Sequence, residues 1–296
     1  MIPLAGDQNM GLRPHFNFWQ TSRFQLQLTK PMVMGIVNVT PDSFSAVHTT
    51  TATPMQALRL AQQHLHDGAD ILDIGGESTR PGADALTADQ EWVRIQPVLS
   101  ELITWHKPVS IDTYHPENMH RALDMGVDIV NDVWALRKGD ALSVVSAYKC
   151  GVCLMHMHGQ PVTMQLAPMQ GDVVQSICQF FQNRLSETDL AGIHRNRLVL
   201  DPGVGFGKTV AQNFSLLRNQ DVFMRLGLPI MAGWSRKSAL GQVTGLDVSD
   251  RLVPSIAAAL LAVERGSRIL RVHDVKATIE ALKVWGAVEN LTEPTE

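Results

Sequence analysis

The chain has 296 residues, of which 45% are hydrophobic and 18% charged, so it has ample material for a large core and no composition typical of disorder. A net charge of −4, without any run of Lys and Arg, argues against a surface for nucleic acid or anionic membranes. The N-terminal residues hold no apolar segment typical of a signal peptide, no apolar run has the length of a membrane span, and three cysteines do not form a disulfide framework. We therefore expect a cytoplasmic protein that binds neither nucleic acid nor membranes.

The beginning of the chain differs in character from the rest. Residues 1–23 are rich in polar residues, Gly, Pro and Asn, and we predict that they form an N-terminal extension. Residues 24–28 alternate apolar and polar side chains, which is typical of a half-exposed strand. We expect this strand to form one arm of a small hairpin that covers the bottom of the main domain, which we assign to residues 24–290.

From residue 32 onward one pattern repeats: a short apolar run, a polar cluster and a helical segment. The eight apolar runs are residues 32–39, 71–74, 109–111, 127–130, 152–155, 198–200, 229–232 and 268–270. Helices are predicted at residues 54–67, 87–105 and 116–126, with a last one ending near residue 288. Strands alternating with helices are typical of a parallel sheet, and eight units over about 250 residues predict an α/β fold, a closed (β/α)8 TIM barrel. An open, doubly wound sheet is the structural alternative.

Polar side chains lie in or just beyond the C-terminal ends of these strands. They are Asp73, Asp112, Asn131, His156, Asp201, Lys237, Arg271 and His273. In a barrel such strand ends converge at one mouth, where active sites of this fold lie. Taken singly, Asp112, Asn131 or Asp201 could be a helix cap or a turn residue. Local roles of this kind do not explain why all of these polar residues lie at strand ends, so we predict an active site at this mouth.

Asp73 is the most informative of these residues because it lies within the apolar run of residues 71–74. A charged side chain in a buried strand costs several kcal/mol unless it has a partner. Two glycines then end the run, and the following polar loop carries Thr79, Arg80 and Pro81. This order of strand, acid, glycines and loop predicts a site built where the strand ends.

A glycine-rich segment, GVGFGKT at residues 203–209, resembles a phosphate-binding loop. A Walker A loop would need glycine at Pro202, and a dinucleotide-binding motif would need glycine at Lys208. Both nucleotide interpretations therefore fail. We interpret the glycines as allowing a tight turn that brings Phe206 over a ligand.

Cys150, Cys153, His156 and His158 have a spacing that resembles a zinc cluster. Alternation along the predicted strand, however, places Cys153 on the opposite face from His156 and His158, with Cys150 at the far end. We interpret the two cysteines as buried structural residues.

Two clusters suit an anionic ligand. Arg271 and His273 lie on one face at the end of the last strand, where they would bind phosphate, or Arg271 only bridges neighbouring carboxylates. Residues 235–238 precede a helix whose free N–H groups would bind a carboxylate or phosphate, with Lys237 pointing into the mouth. The alternative for this second cluster is a solvated basic loop.

Five motifs together resemble the signatures of the bacterial dihydropteroate synthases, a pterin-binding enzyme family. They are NVTPDSF at 38–44, DIGGESTRPG at 73–82, DPGVGFGK at 201–208, SRKS at 235–238 and RVHD at 271–274. The resemblance runs from about residue 32 to residue 287. It implies a (β/α)8 barrel, usually a homodimer, that condenses 6-hydroxymethyl-7,8-dihydropterin diphosphate with 4-aminobenzoate and releases pyrophosphate in folate synthesis, a step that sulfonamides target.

The resemblance also implies roles for single residues. The pterin would be bound by Asp112, Asn131, Asp201 and Lys237, with Asp73 behind them and Met155 against the ring face. The diphosphate would lie on Arg271, His273 and Asn38, and Asn38 resembles the family's Mg²⁺ ligand. The diphosphate and 4-aminobenzoate pocket would be shaped by Phe44, Thr79, Arg80, Pro81, Phe206 and Ser238. Catalysis would rest on Arg271, His273, Lys237 and Asp112.

The chain departs from the family pattern at four places, two of which are that Gly203-Val204 replaces a more usual Gly-Phe and that Trp234 takes a position often held by Met. After Phe44 the family usually continues Ser-Asp-Gly-Gly, whereas Ser45-Ala-Val-His48 lacks the acid and both glycines in a loop that closes over the substrates in relatives. His115 stands where a basic residue is common. Two other functions are therefore considered: a corrinoid-linked methyltetrahydrofolate methyltransferase, disfavoured by the diphosphate-binding residues, and a pterin-binding barrel without catalysis.

Overall fold

The computed structural model describes residues 17–40, 53–77, 85–160, 164 and 166–289. Within these residues eight parallel strands form a closed barrel in which neighbours along the chain are also neighbours in the sheet. Two further strands, β1 and β2, form a separate antiparallel pair. The barrel strands are β3 (Met32–Asn38), β4 (Ile71–Gly75), β5 (Val109–Asp112), β6 (Ile129–Asp132), β7 (Gly151–Met155), β8 (Leu198–Asp201), β9 (Ile230–Ala232) and β10 (Ser267–Val272). The predicted TIM barrel is confirmed, and closure excludes the open sheet.

Helices connect the strands and cover the outside of the barrel. They are α1 (Pro54–His66), α2 (Ala88–Leu102), α3 (Pro116–Met125), α4 (Ala141–Ser146), α5 (Val173–Leu190), α6 (Val210–Arg218), α7 (Asp221–Met224), α8 (Ser238–Thr244), α9 (Leu252–Glu264) and α10 (Val275–Val288). Three of them begin at a Thr-x-x-Gln capping box, with Thr53, Thr87 and Thr209 as caps. No helix in the described ranges combines the length and hydropathy needed to cross a bilayer.

The sixth strand of the chain begins later than expected. Residues 127–130 were predicted, whereas β6 runs from Ile129 to Asp132. Gly126 ends α3 with a φ of 101°, and the Val127 N–H donates to the Ala122 carbonyl, so Val127 still belongs to the helix terminus. As a consequence Asn131 is part of the strand, and its side-chain direction is fixed by the pleat.

The N-terminal hairpin closes the bottom of the barrel. β1 (Phe18–Gln20) pairs with β2 (Gln25–Gln27), and the fully buried Trp19 donates from its Nε1 to the Arg197 carbonyl at 2.8 Å. Trp19 packs in one apolar cluster with the lower inward-facing side chains of the strands, among them Met34 and Cys153. The predicted hairpin is confirmed. Its first strand precedes residue 24, so the hairpin crosses the boundary drawn between extension and barrel domain.

Candidate active site

A cavity of about 400 Å³ opens at the C-terminal ends of the strands. Its lining contains predicted site residues from seven of the strands or the segments that follow them: Asn38, Asp112, Asn131, Met155, Asp201, Phe206, Lys237, Ser238, Arg271 and His273. Of the remaining predicted site residues, Asp73 is fully buried and is not part of this lining, whereas Phe44, Thr79, Arg80 and Pro81 lie outside the described residues, as does the departing segment 45–48.

The register of the parallel strands explains why these side chains meet. Asn38 pairs with Gly75, Gly75 with Asp112 and Asp112 with Asn131, so three polar residues and a glycine form one row across β3 to β6. Met155 and Asp201 pair in the same way across β7 and β8. Residues paired in one row of a sheet point to the same face, so these side chains all face the barrel interior, and they reach one cavity because each lies near the C-terminal end of its strand.

Arg271 lies at the centre of the charged network. Its Nε donates to Oδ2 of Asp73 at 2.6 Å, and its NH2 donates to Oδ2 of Asp112 at 2.5 Å. Asn131 donates a further bond to the same Asp73 oxygen at 3.1 Å. The carboxylate bridge considered as an alternative role for Arg271 is thus present, in a side chain that also lines the cavity.

Burial perturbs the titration of this network. Desolvation raises the pKa of Asp112 to about 7, with Arg271 opposing the rise and Asp73 adding to it. Burial also raises the pKa of Asp201, although the Gly203 N–H donates to its Oδ1 at 2.7 Å. Burial would lower the pKa of Arg271, but Asp73 and Asp112 outweigh it, so that pKa is raised and the guanidinium stays charged. Perturbed groups that share a cavity are typical of functional sites.

Lys237 and Phe206 lie side by side in another part of the cavity wall. The Lys237 Nζ lies 4.4 Å from the centroid of the Phe206 ring, a cation–π distance. Desolvation lowers the pKa of Lys237 to about 8, opposed by the nearby Asp201. Phe206 packs in an apolar cluster with Met155 and Val133, so the cavity has a charged side and an apolar side. A flat polar heterocycle needs both.

His273 is held by Ser235 from the preceding strand end. The Ser235 Oγ lies 2.9 Å from Nδ1 of His273 and accepts a bond from the His273 N–H at 3.1 Å. Because one ring nitrogen is engaged by the serine, the ring orientation is fixed. Arg271 and His273 therefore reach the cavity from one strand end, as their spacing indicates.

A family model described as "Pterin binding enzyme" matches residues 34–273. The dihydropteroate synthase of Neisseria meningitidis serogroup B is 47% identical over 276 residues, which cover 91% of this chain and 97% of that protein. The structure of Xanthomonas albilineans dihydropteroate synthase with 4-aminobenzoic acid is similar with a TM-score of 0.86 at 44% identity, covering 92% of this chain and 98% of that one. The structure of Burkholderia cenocepacia dihydropteroate synthase complexed with 7,8-dihydropteroate is similar with a TM-score of 0.84 at 43% identity, covering 93% of this chain and 97% of that one. This chain belongs to the pterin-binding enzymes, in the dihydropteroate synthase family.

Lys208 is a buried residue of this pterin-binding enzyme for which no role was predicted from the sequence. Its Nζ donates to the carbonyls of Gly203 at 2.8 Å, Phe206 at 3.0 Å and His156 at 3.3 Å. Burial lowers its pKa to about 7, while Asp201 favours its charge. A Cβ on Gly203 would lie 1.9 Å from the His156 carbonyl oxygen, so the glycine lets this loop pack closely. Lys208 then fixes the loop that carries Phe206.

Glu77 is a second residue whose contacts could not be read from the sequence. It lines the cavity and accepts bonds from the Tyr114 hydroxyl at 2.8 Å and the Leu86 N–H at 3.1 Å. His115, at the departing position, places Nε2 3.9 Å from the Glu77 carboxylate. Burial opposes ionisation of Glu77, but these neighbours lower its pKa overall. The only sequence signal was an acid directly after two glycines.

The residues with zinc-like spacing face different surroundings. Cys153 lies in the apolar cluster at the bottom of the barrel interior, whereas Cys150 belongs to the cluster outside the strands. The His156 ring packs edge-on against Phe180 of α5, and burial lowers its pKa to about 2. The expectation that His156 joins the other strand-end residues is therefore wrong, because Met155 takes the inward position and pleating directs His156 outward.

Proposed function

We propose that this protein is a dihydropteroate synthase, which joins (7,8-dihydropterin-6-yl)methyl diphosphate to 4-aminobenzoate and releases pyrophosphate. The observation that carries the proposal is the paired Arg271, held by Asp73 and Asp112 in the same cavity as Lys237, Asp201 and His273. The ligands named for the Xanthomonas and Burkholderia structures, 4-aminobenzoic acid and 7,8-dihydropteroate, support it.

The pterin ring is proposed to bind between the charged and apolar sides of the cavity. Its aminopyrimidinone edge carries both donors and acceptors, which match the Asp201 and Asp112 carboxylates, the Asn131 amide and the Lys237 ammonium. Met155 would contact the ring face. Among the described residues, Oδ1 of the buried Asp73 has no hydrogen-bond partner, so this carboxylate keeps one acceptor for water or ligand. Analogues without the polar edge would leave buried groups unpaired and be rejected.

The diphosphate is proposed to lie on Arg271 and His273. A guanidinium has five N–H donors, and the bonds to Asp73 and Asp112 use two of them. The leaving pyrophosphate develops negative charge, so the fixed Arg271 cation and the His273 donor stabilise the transition state electrostatically. The methylene carbon then develops positive charge next to the electron-rich dihydropterin, in a dissociative substitution.

The second substrate is proposed to enter on the side of Lys237, Phe206 and Ser238. Its arylamine is neutral at pH 7 and nucleophilic, so the site needs no strong base and gains rate by positioning the two substrates. Lys237 next to Phe206 suits a benzoate, because the ring meets an aromatic face and the anion meets a cation. Phe44, Thr79, Arg80 and Pro81 remain predicted contributors. As arylamine analogues, sulfonamides should compete with 4-aminobenzoate.

Magnesium is the expected metal, and Asn38 is its proposed protein ligand. Mg²⁺ prefers oxygen ligands and commonly takes one or two from protein, the rest from water and phosphate. Asn38 lines the cavity, and a Cβ at Gly75 would lie 3.5 Å from its Oδ1, so the neighbouring glycine leaves this oxygen accessible. When bound, the ion would neutralise charge on the diphosphate. Asn38→Ala should raise the Mg²⁺ concentration needed for half-maximal rate.

One assay tests the function. The full chain is incubated with the pterin diphosphate, 4-aminobenzoate and Mg²⁺, and dihydropteroate and pyrophosphate are measured; equal amounts of both are expected. Pterin binding without product at any Mg²⁺ concentration would leave the non-catalytic barrel as the better description. Methyl transfer from methyltetrahydrofolate to a corrinoid would favour the methyltransferase.

A cytoplasmic homodimer completes the proposal. On α9, Val253 and Leu261 are 76% and 45% exposed and share a face with Ala257, spaced by four residues. Val284 and Val288 are exposed apolar side chains on α10, which packs against α9. Exposed apolar side chains on adjacent helices are typical of an interface. Light scattering should give twice the chain mass, and Val253→Glu with Leu261→Glu should give a monomer.

A further inference from the structure

Arg236 has an unusual backbone conformation at the edge of the cavity. Its φ is 57°, in the left-handed region that residues with a Cβ rarely adopt. The conformation costs about 1 kcal/mol or more and persists only where the surroundings hold it. Arg236 lies between Ser235 and Lys237, and the Lys237 N–H donates to the Trp234 carbonyl at 3.2 Å to close the turn. We call residues 234–237 the Arg236 turn.

Three residues hold the Arg236 turn, each through a different group. The Ser255 Oγ, on α9, accepts from the Arg236 N–H at 2.9 Å. Arg251, which precedes α9, donates from NH1 to the Arg236 carbonyl at 3.2 Å. Asp274, at the start of α10, binds the Arg236 guanidinium at 3.0 and 2.6 Å. The backbone donor, the backbone acceptor and the side chain of the strained residue are all fixed.

The residues on either side of Arg236 belong to the candidate site. Ser235 holds His273, the proposed diphosphate donor, through its hydroxyl. Lys237 contacts Phe206 and lines the pterin cavity. A rotation of the Arg236 backbone would therefore move both Ser235, which holds the proposed diphosphate donor His273, and Lys237, which lines the pterin cavity. By contrast, Ser255 is 4% exposed and lies on α9, behind the turn.

Gly241 provides the space for one of these contacts. A Cβ at Gly241 of α8 would lie 2.3 Å from NH2 and 2.4 Å from Nε of Arg251, so the guanidinium lies directly against the helix. In this position Arg251 also donates from Nε to the Leu246 carbonyl at 3.0 Å. The displaced atoms would be the end of a flexible side chain, so an added methyl group would move Arg251 rather than the backbone.

We propose that Ser255, Arg251 and Asp274 are positioning residues that hold the strained Arg236 turn, and through it Lys237 and His273, in the geometry that the reaction requires. The inference rests on the proposed function and goes beyond it, because it gives a role to three residues that the proposed substrate binding does not use; of these, Arg251 also lines the cavity. The inward face of α9 thus acts on the site while its outward face forms the proposed dimer surface.

The first test uses Gly241→Ala, with Gly286→Ala in α10 as the matched control, because a Cβ at Gly286 meets no atom within 4 Å. Both changes favour the helix by up to about 1 kcal/mol, so neither should lower the thermal midpoint. We expect kcat/KM of Gly241→Ala to fall on the order of ten- to a hundredfold, and the control to match the unmodified protein. The kcat/KM of Arg251→Met should fall by a similar factor. If both changes act through the Arg251 side chain, adding Gly241→Ala to Arg251→Met should lower kcat/KM little further.

The second test approaches the turn from α9. Ser255→Ala should lower kcat and raise KM for 4-aminobenzoate, and Ser255→Thr, which keeps the hydroxyl, should restore both. Thr188→Val in α5 removes another fully buried helix hydroxyl and controls for lost stability. Near-normal kcat/KM in Gly241→Ala, or a Ser255→Ala loss explained by its unfolded fraction alone, would overturn the proposal. If Ser255→Ala does not fold, Gly241→Ala decides. An unmodified protein that forms no dihydropteroate would refute the function instead.

Discussion

The two ends of the barrel interior are formed by the same strands but hold opposite kinds of side chain. At the bottom, Trp19, Met34 and Cys153 lie in a cluster of buried apolar residues. At the mouth, Asp73 and Asp112 pair with Arg271 where little water reaches them: the three side chains are 0%, 11% and 21% exposed. Burial of apolar side chains stabilises the bottom, whereas burial of charged side chains at the mouth costs free energy unless the charges are paired.

The difference between the ends shows how stability and chemistry are divided in this chain. Along β4, Ile71 faces the lower cluster, and Asp73, two residues later on the same face of the strand, joins the charged network. The same alternation leads from Ile129 to Asn131 on β6 and from Ile269 to Arg271 on β10. Substitutions at the bottom should therefore change only the free energy of unfolding, whereas substitutions at the mouth should change the kinetics.

The largest effect is expected for Arg271→Met. The change removes the proposed diphosphate contact, so kcat/KM should fall by about a thousandfold or more. It also leaves two buried carboxylates without their cation, which costs roughly 3–5 kcal/mol of unfolding free energy. Because Arg271 opposes the raised pKa of Asp112, pterin binding should weaken as well. Steady-state kinetics and urea unfolding measure these effects.

Arg268→Met is the matched control for this change, because Arg268 lies on the same strand three residues nearer the bottom. It should keep its kcat/KM. If both variants lose activity equally, the mouth does not have the special role assigned to it.

Trp19→Ala should destabilise the bottom of the barrel without changing the site at the mouth. Removing this fully buried indole should cost about 3–5 kcal/mol, with a lower urea midpoint. Trp19→Phe keeps most of the packing and loses the bond to the Arg197 carbonyl, so it should cost about 1–2 kcal/mol. KM and kcat per folded molecule should remain unchanged in both variants. A selective rise in KM would show that the hairpin influences the substrates.

The sequence was sufficient for most of the fold because buried parallel strands and amphipathic helices have distinct periods. The embedded Asp73 and the polar strand ends also located the mouth, since the C-terminal ends of barrel strands converge whatever their loops do. The first arm of the hairpin was missed because β1 has only three residues within a polar segment. The start of β6 was missed because Gly126 lengthens the helix end that precedes it.

Partner choice inside the site could not be read from the sequence. Arg271 could pair with any strand-end carboxylate, and only the barrel register selects Asp73 and Asp112. The role of Lys208 depends on carbonyls from two loops, including one 52 residues away. A left-handed Arg236 has no sequence signal either, because arginine does not favour positive φ; the contacts from α9 and α10 impose it.

The smallest expected effect is a narrow pH optimum that arises only at the mouth. Burial raises the pKa of Asp112 to about 7, so below that pH the carboxylate is protonated and its pairing with Arg271 and the pterin weakens. Desolvation lowers the pKa of Lys237 to about 8, so above that pH the site loses a cation. Because kcat/KM reports the free enzyme, it should follow a bell with limbs near these values, falling about tenfold per pH unit beyond each.

Two variants separate the limbs of this profile. Lys237→Arg stays charged and should move the alkaline limb to higher pH, and Asp112→Asn should flatten the acid limb at a lower overall rate.

The free energy of unfolding depends on pH in a different way from the rate. A carboxyl with a raised folded-state pKa stabilises the fold most below its unfolded value near 3.9, and that contribution is lost as the pH rises through about 7. Urea midpoints of Asp112→Asn should therefore fall less than those of the unmodified protein between pH 4 and pH 7. Trp19→Phe should keep the unmodified profile, because Trp19 lies in the apolar cluster at the opposite end of the barrel interior; a shifted bell in that variant would contradict the separation of the two ends.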